Sequence, residues 1–269
     1  MREPFIEMNG NFAVTVAADV ISHFYNDEID FLYYCDIVEH DYIEKCSKAT
    51  KQSLLHEYIE SVYVAGINFY LRKHYAEEMA YEMKICMDSL SIDYSDIIEP
   101  TKPTGDYDDE QFDLYTEQYE QYADQIQERF NELALPSLVN SVFSVLYNNK
   151  NFLYDFNLRI TEQVLKLKKA DYPDLLEKDG KFYREAPPNW LKVAVFHRDH
   201  GRCQCCGENL DRIFLKTRIE NYDHIIPLNH GGSNDPTNYQ LMCEHCNKSK
   251  SDKSNSFRNI IWPYWDTSK

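Results

Sequence analysis

Cys203-Gln204-Cys205-Cys206-Gly207 and Cys243-Glu244-His245-Cys246-Asn247 place two Cys-x-x-Cys pairs 36 residues apart, with Tyr222-Asp223-His224-Ile225-Ile226-Pro227-Leu228 and Asn229-His230-Gly231-Gly232-Ser233 between them. Each pair can set two thiolates on one face of a tight turn, and two such turns complete a tetrahedral sulfur cage that suits zinc. Four thiolates leave no open coordination position, so the metal expected at Cys203, Cys206, Cys243 and Cys246 is structural. Cys205 is then a spare thiol. The remaining cysteines, Cys35, Cys46 and Cys86, lie in helical-looking sequence and read as small buried hydrophobes.

Outward from this stretch, Pro188-Asn189-Trp190 to Phe196 reads as an amphipathic helix with Asn189 as its N-cap, leading into His197-Arg198-Asp199-His200 and Arg202. Arg198 and Arg202 can touch a nucleic-acid backbone or pair with carboxylates. His197, His200, His230 and His245 fit surface or supporting positions, because the cage is already complete without them.

The combination Asp223-His224-Ile-Ile-Pro, Gly231-Gly232, Asn238 and Cys243-x-x-Cys246-Asn247 followed by Lys248 and Lys250 resembles the HNH endonucleases, the ββα-metal nucleases. The resemblance spans about residues 190–253 and does not extend upstream. It implies a small ββα domain in which His224 is the general base, Asp223 and Asn247 ligate a catalytic divalent ion, and Asn238 steadies the loop and His224. An imidazole with a reference pKa near 6.5 suits a base at neutral pH. Asp223 and His224 project to opposite sides of a strand, so a common site requires the strand to end or twist there, as Pro227 allows. Two oxygen ligands favour a hard cation, Mg²⁺ first and Mn²⁺ second. Residues 247–253 should open or form the helix of the unit, with Lys248, Lys250 and Lys253 reaching phosphates.

The chain has 269 residues and a net charge of -17. From Leu191 to Lys269 there are 11 Lys/Arg against 9 Asp/Glu, a balance of +2, which leaves 17 against 36 upstream, or -19. Upstream, apolar residues recur at helical spacing over Leu54 to Leu71, Phe112 to Leu133 and Leu153 to Leu167; Phe12 to Val38 also reads as helical, while Val139 to Tyr147 fits helix or strand. His40/Glu44, His56/Glu60 and His74/Glu78 fit ordinary solvated pairing at i,i+4. Eighteen of the 21 tyrosines lie upstream, as core and rim residues or as a docking surface. Pro100 to Glu110 reads as an exposed loop.

The expected fold class is therefore α+β: an acidic, Tyr-rich helical domain over residues 1–176, split near 99–110, a linker at 177–188, and a zinc-stabilised HNH domain at 189–269. The expected activity is divalent-metal-dependent phosphodiester hydrolysis, with DNA favoured over RNA, one strand nicked per site, and dimerisation or successive nicks needed for double-strand cleavage. The alternative is a non-catalytic zinc-stabilised nucleic-acid-binding module, which would need none of Asp223, His224, Asn238 and Asn247. The acidic region is expected to limit indiscriminate DNA binding and to dock a protein partner, an arrangement suited to a restriction or anti-phage effector. A mean hydropathy of -0.59, no apolar run near 18 residues and an acidic start (Glu3, Glu7) point to a cytoplasmic protein without a membrane span.

Overall fold

The computed structural model describes residues 10–26, 39–72, 76–105, 108–210 and 220–250. The chain divides into two compact units, one made of Met1–Asp30 and Tyr58–Val145, the other of Phe31–Glu57 and Leu146–Lys269. Helices α1 (Gly10–Asn26), α2 (Glu39–Ser47), α3 (Leu54–Arg72), α4 (Ala76–Ser89), α5 (Asp109–Leu133), α6 (Leu135–Tyr147) and α7 (Lys150–Val164) precede the first strands. Residues 27–38 of the segment expected to be helical lie outside the described residues. No helix among the described residues is long and apolar enough to cross a membrane.

In the first unit the helices follow their apolar stripes. Tyr115, Tyr119, Tyr122, Ala123, Ile126 and Phe130 bury one face of α5, which opens on a capping box between Asp108 and Gln111. The tyrosine hydroxyls at the edge of that face reach carboxylates: Tyr115 donates to Glu77 at 3.0 Å and Tyr119 to Glu99 at 3.0 Å. Glu99 also accepts from Lys84 at 2.7 Å, and that bond is the main reason its carboxyl sits below the usual range. These tyrosines are thus core and rim residues. Val139 to Tyr147 is helical, because Leu135, Leu138, Val139, Val142 and Leu146 all fall on one buried face at helical spacing.

The second unit continues from α7 into a short hairpin, β1 (Leu176–Lys178) and β2 (Lys181–Phe182), then α8 (Asn189–Arg198), β3 (Glu220–His224), β4 (Tyr239–Cys243) and α9 (Glu244–Lys250). Helix α8 starts at Asn189, so Pro188 takes the cap position expected of Asn189 and makes no side-chain bond there. His56, expected in a solvated pair, is buried with Nδ1 2.8 Å from the Ser53 hydroxyl.

Strands β3 and β4 pair antiparallel from Glu220↔Cys243 to His224↔Tyr239, and α9 follows directly, which gives the ββα unit. The free edge of β4 is served by side chains and loop backbone instead of a third strand. Asp199 accepts from Leu241 N at 2.7 Å, Arg198 donates to Tyr239 O at 2.6 Å, and Gln204 N donates to Leu241 O at 2.9 Å. An edge left bare would expose unpaired donors and acceptors.

Between β3 and β4 the chain passes two 3₁₀ turns, Leu228–His230 and Pro236–Asn238. Asn238 closes this loop: Oδ1 accepts from Ile226 N at 2.8 Å, and Nδ2 donates to Ile226 O at 3.0 Å and Ser233 O at 2.8 Å. Gly232 sits against the same carbonyl, and a Cβ there would lie 1.9 Å from Ile226 O. Gly232→Ala must therefore shift backbone, and we expect it to lower unfolding free energy by more than about 2 kcal/mol. Denaturant titration measures this; a wild-type midpoint would contradict it.

Candidate active site and metal centre

The four cysteines Cys203, Cys206, Cys243 and Cys246 converge, with their Sγ atoms all within 4.8 Å of one another. Two local turns make this possible. Gly207 N donates to Cys203 O at 2.8 Å to close the first knuckle, and Cys246 N donates to Cys243 Sγ at 3.4 Å in the first turn of α9. The Cys206 and Cys243 sulfurs are 3.8 Å apart, which matches the edge of about 3.8 Å in a tetrahedron with metal–sulfur bonds of about 2.3 Å. Burial pushes the Cys243 thiol up to about 12, whereas backbone amides of Cys243, Cys206 and Cys205 outweigh burial at Cys203 and hold its thiol below the ordinary range. Cys205 is half-buried and outside the cluster.

His224 ends β3 and is 1% exposed. Its Nε2 lies 3.1 Å from Asn234 Oδ1, and its ring is 4.5 Å, centroid to centroid, from that of Tyr239. The orientation of Asn234 is fixed independently of the histidine. Asn234 Nδ2 donates to Ser47 O and to Tyr183 O, both at 2.8 Å, so Oδ1 faces the imidazole. An acceptor at that position requires the proton on Nε2. Nδ1 then carries the lone pair, and it is a buried nitrogen with no hydrogen-bond partner among the described residues. Burial, followed by the charge of Arg184, lowers the imidazole to about 4, so the ring is neutral at physiological pH.

Asp223 makes no hydrogen bond to His224 among the described residues. Its Oδ2 accepts from Lys250 Nζ at 2.6 Å and from Gln240 Nε2 at 3.4 Å. Lys250, expected to reach phosphate, is 4% exposed and donates as well to the carbonyls of His224 and Ile225. Burial lowers its pKa from the ordinary lysine value, against the opposing pull of Asp223. Asn247 is half-buried one turn earlier on the same face of α9. Asn238 contacts the loop, as described above, and not the imidazole.

The other expected phosphate contacts divide. Arg198 is buried in an ion pair with Asp199 at 2.9 Å and stacks on the Tyr147 ring with its guanidinium carbon 4.7 Å from the centroid, so it serves the fold and is turned away from solvent. Arg202 bonds Gly207 O at 3.2 Å. Lys248 is exposed and pairs with Glu244, and Lys253 lies outside the described residues. His197, His200, His230 and His245 are exposed.

Three residues with a place at the site had no distinguishing sequence signal. Asn234 and Asp235 follow the Gly-Gly turn, and Asp235 is fully buried, accepting from Leu54 N at 3.0 Å and Thr237 N at 2.9 Å. Arg184 lies on the segment after β2, where Tyr183 O meets Asn234 and Glu185 O accepts from the Tyr239 hydroxyl at 3.5 Å.

Residues 203–253 match the family model described as HNH endonuclease. The match takes in both cysteine knuckles, β3, β4 and α9, and leaves residues 1–202 uncovered. No curated protein and no solved structure matches the chain.

The cluster predicts close to one equivalent of thiophilic metal, zinc first, in the purified protein. Cys243→Ser should lose that equivalent and melt at lower temperature, since structural zinc contributes on the order of 10 kcal/mol in small peptides. Elemental analysis with a melting curve decides it, and full retention of metal in the variant would remove the cage.

Proposed function

We propose that the protein is a metal-dependent endonuclease that hydrolyses phosphodiester bonds, with DNA as the favoured substrate and His224 as the general base. The observation that carries this reading is the unpartnered Nδ1 lone pair of a neutral, rigidly held imidazole. A buried nitrogen without a partner costs about 1–3 kcal/mol, which a structural histidine would avoid by bonding a neighbour. A water held at Nδ1 relieves that cost and is placed to lose a proton as it attacks phosphorus. Asn234 accepts from Nε2–H and steadies the imidazolium that forms. Tyr239 limits rotation of the ring. Lys250 fixes the carbonyls of His224 and Ile225, so the end of β3 cannot drift.

Asp223 and Asn247 fit a hard divalent cation. Both are oxygen donors, the bonds of Asp223 fall on Oδ2, leaving Oδ1, and Asn247 shares a helix face with the lysine that holds this carboxylate. Such a cation, Mg²⁺ or Mn²⁺, would polarise the phosphoryl oxygen and stabilise the leaving oxygen. The cysteine cage suits zinc and serves the fold. The acidic upstream sequence supports a role in limiting indiscriminate DNA binding, with a protein partner delivering the enzyme.

Plasmid nicking with Mg²⁺ tests the assignment. His224→Ala should slow cutting by about 10²–10⁴-fold while metal content and melting temperature hold. Asn234→Ala should slow it as well, through loss of ring orientation. Undiminished cutting by His224→Ala would eliminate the imidazole as base, and a wild-type protein that cuts no polynucleotide with any divalent ion would favour the non-catalytic module.

A further inference from the structure

We propose that Arg184 belongs to this active site and binds the non-bridging oxygens of the phosphodiester under attack. The proposal rests on the nuclease reading and adds to it a residue from outside the matched segment 203–253.

The hairpin β1–β2 delivers the segment 183–185 to the imidazole, and its backbone is tied on both sides of Arg184. Tyr183 O accepts from Asn234 Nδ2 at 2.8 Å, and Glu185 O accepts from the Tyr239 hydroxyl at 3.5 Å. Both partners touch His224, one through a hydrogen bond and one ring against ring. A residue anchored between those two contacts has its Cα held beside the catalytic ring. Its side chain is exposed and makes no ion pair or hydrogen bond among the described residues. The charge of Arg184 acts on His224, Tyr239 and Lys250, which stand on β3, β4 and α9.

A structural role does not account for this arginine. The tie of the segment uses backbone carbonyls and needs no particular side chain at 184. A cation next to a base, with no partner among the described residues, is suited to an anion that sits between them. The neighbouring cations are otherwise engaged: Lys250 is committed to Asp223 and two carbonyls, Arg198 to Asp199, and Lys248 to Glu244.

In the reaction, the oxygen of water bonds to phosphorus and one P–O ester bond breaks. The proton of that water passes to His224 Nδ1, and the departing alkoxide takes a proton from solvent. Arg184 exchanges no proton. It donates two N–H bonds to the oxygens on which negative charge grows, a geometry that a planar guanidinium matches and an ammonium does not.

The test uses the full chain with Arg184→Met and Arg184→Lys. Single-turnover plasmid nicking should fall by about 10²–10³-fold in Arg184→Met, with melting temperature and bound metal unchanged, and Arg184→Lys should recover only part of the rate. In a His224→Ala background without added divalent ion, Arg184→Met should lower the salt slope for binding a short DNA duplex by about one phosphate contact. Wild-type nicking and an unchanged slope in Arg184→Met would overturn the proposal and leave the nuclease reading intact if His224→Ala is silent. Equal losses of rate and of melting temperature in both variants would assign a structural role and overturn it too. Should the wild-type protein cut nothing, the nuclease reading falls, and the salt slope alone decides whether Arg184 meets phosphate.

Discussion

The carboxamide of Asn234 can point only one way, and the chemistry of the site follows from that. Its two N–H bonds go to the carbonyls of Ser47 and Tyr183. Turning the group over would press Oδ1 against two acceptors in a buried position, where an unmet polar group is costly. The oxygen is thereby presented to His224 and to the Tyr239 hydroxyl, 3.3 Å away. A histidine has two tautomers of similar energy, and an acceptor fixed by outside groups selects one of them. The protein thus sets the proton on Nε2 through carbonyls that bond Asn234 and not the ring.

Those groups come from distant parts of the chain. Asn234 N and Nδ2 donate to the carbonyls of Cys46 and Ser47, which end α2 and have no acceptor role left inside that helix. Asp235 accepts from the backbone N–H of Leu54, and Asn157 of α7 donates to the Thr237 hydroxyl at 3.1 Å. A loop of the ββα unit therefore terminates one helix, bonds the first residue of another and packs on a third. Cys46, Ser47, Leu54 and Asn157 are part of what holds the loop against the imidazole, although they belong to no motif. Desolvation raises the pKa of Asp235, and its three hydrogen bonds work against that rise.

The features legible in the sequence were those encoded by spacing. Two Cys-x-x-Cys pairs state a cage and an apolar period of three to four states a helix, while the ββα unit was implied by the resemblance of Asp223, His224, Asn238 and Asn247 to the HNH endonucleases. Polar residues whose burial is decided by distant partners were not legible in the same way. Arg198 reads as a basic residue at the end of an amphipathic helix, open to phosphate or carboxylate, until Asp199, Tyr239 O and the Tyr147 ring are assembled around it. Lys250 reads as one of a row of lysines until α9 folds it against the end of β3. Asn234 is one of several small polar residues after a glycine turn, and nothing local separates it from Ser233.

This inward turn of the basic residues bears on how so acidic a chain would meet a polyanion. Over residues 191–269, Arg198 and Lys250 are neutralised by Asp199 and Asp223 inside the fold, so the balance of +2 is carried by the remaining 9 basic and 7 acidic residues. Exposed lysines such as Lys248 are paired with a carboxylate at i,i+4, which weakens but does not abolish their field in water. Long-range attraction is accordingly slight, and affinity must come from charges held at short range where the dielectric is low. In the nuclease proposed above, that condition would place the electrostatic work on a cation held by Asp223 and on Arg184, which has no ion pair among the described residues. Both would act on the phosphate under attack far more than on its neighbours, so a weak grip on the polymer is compatible with strong stabilisation of the transition state.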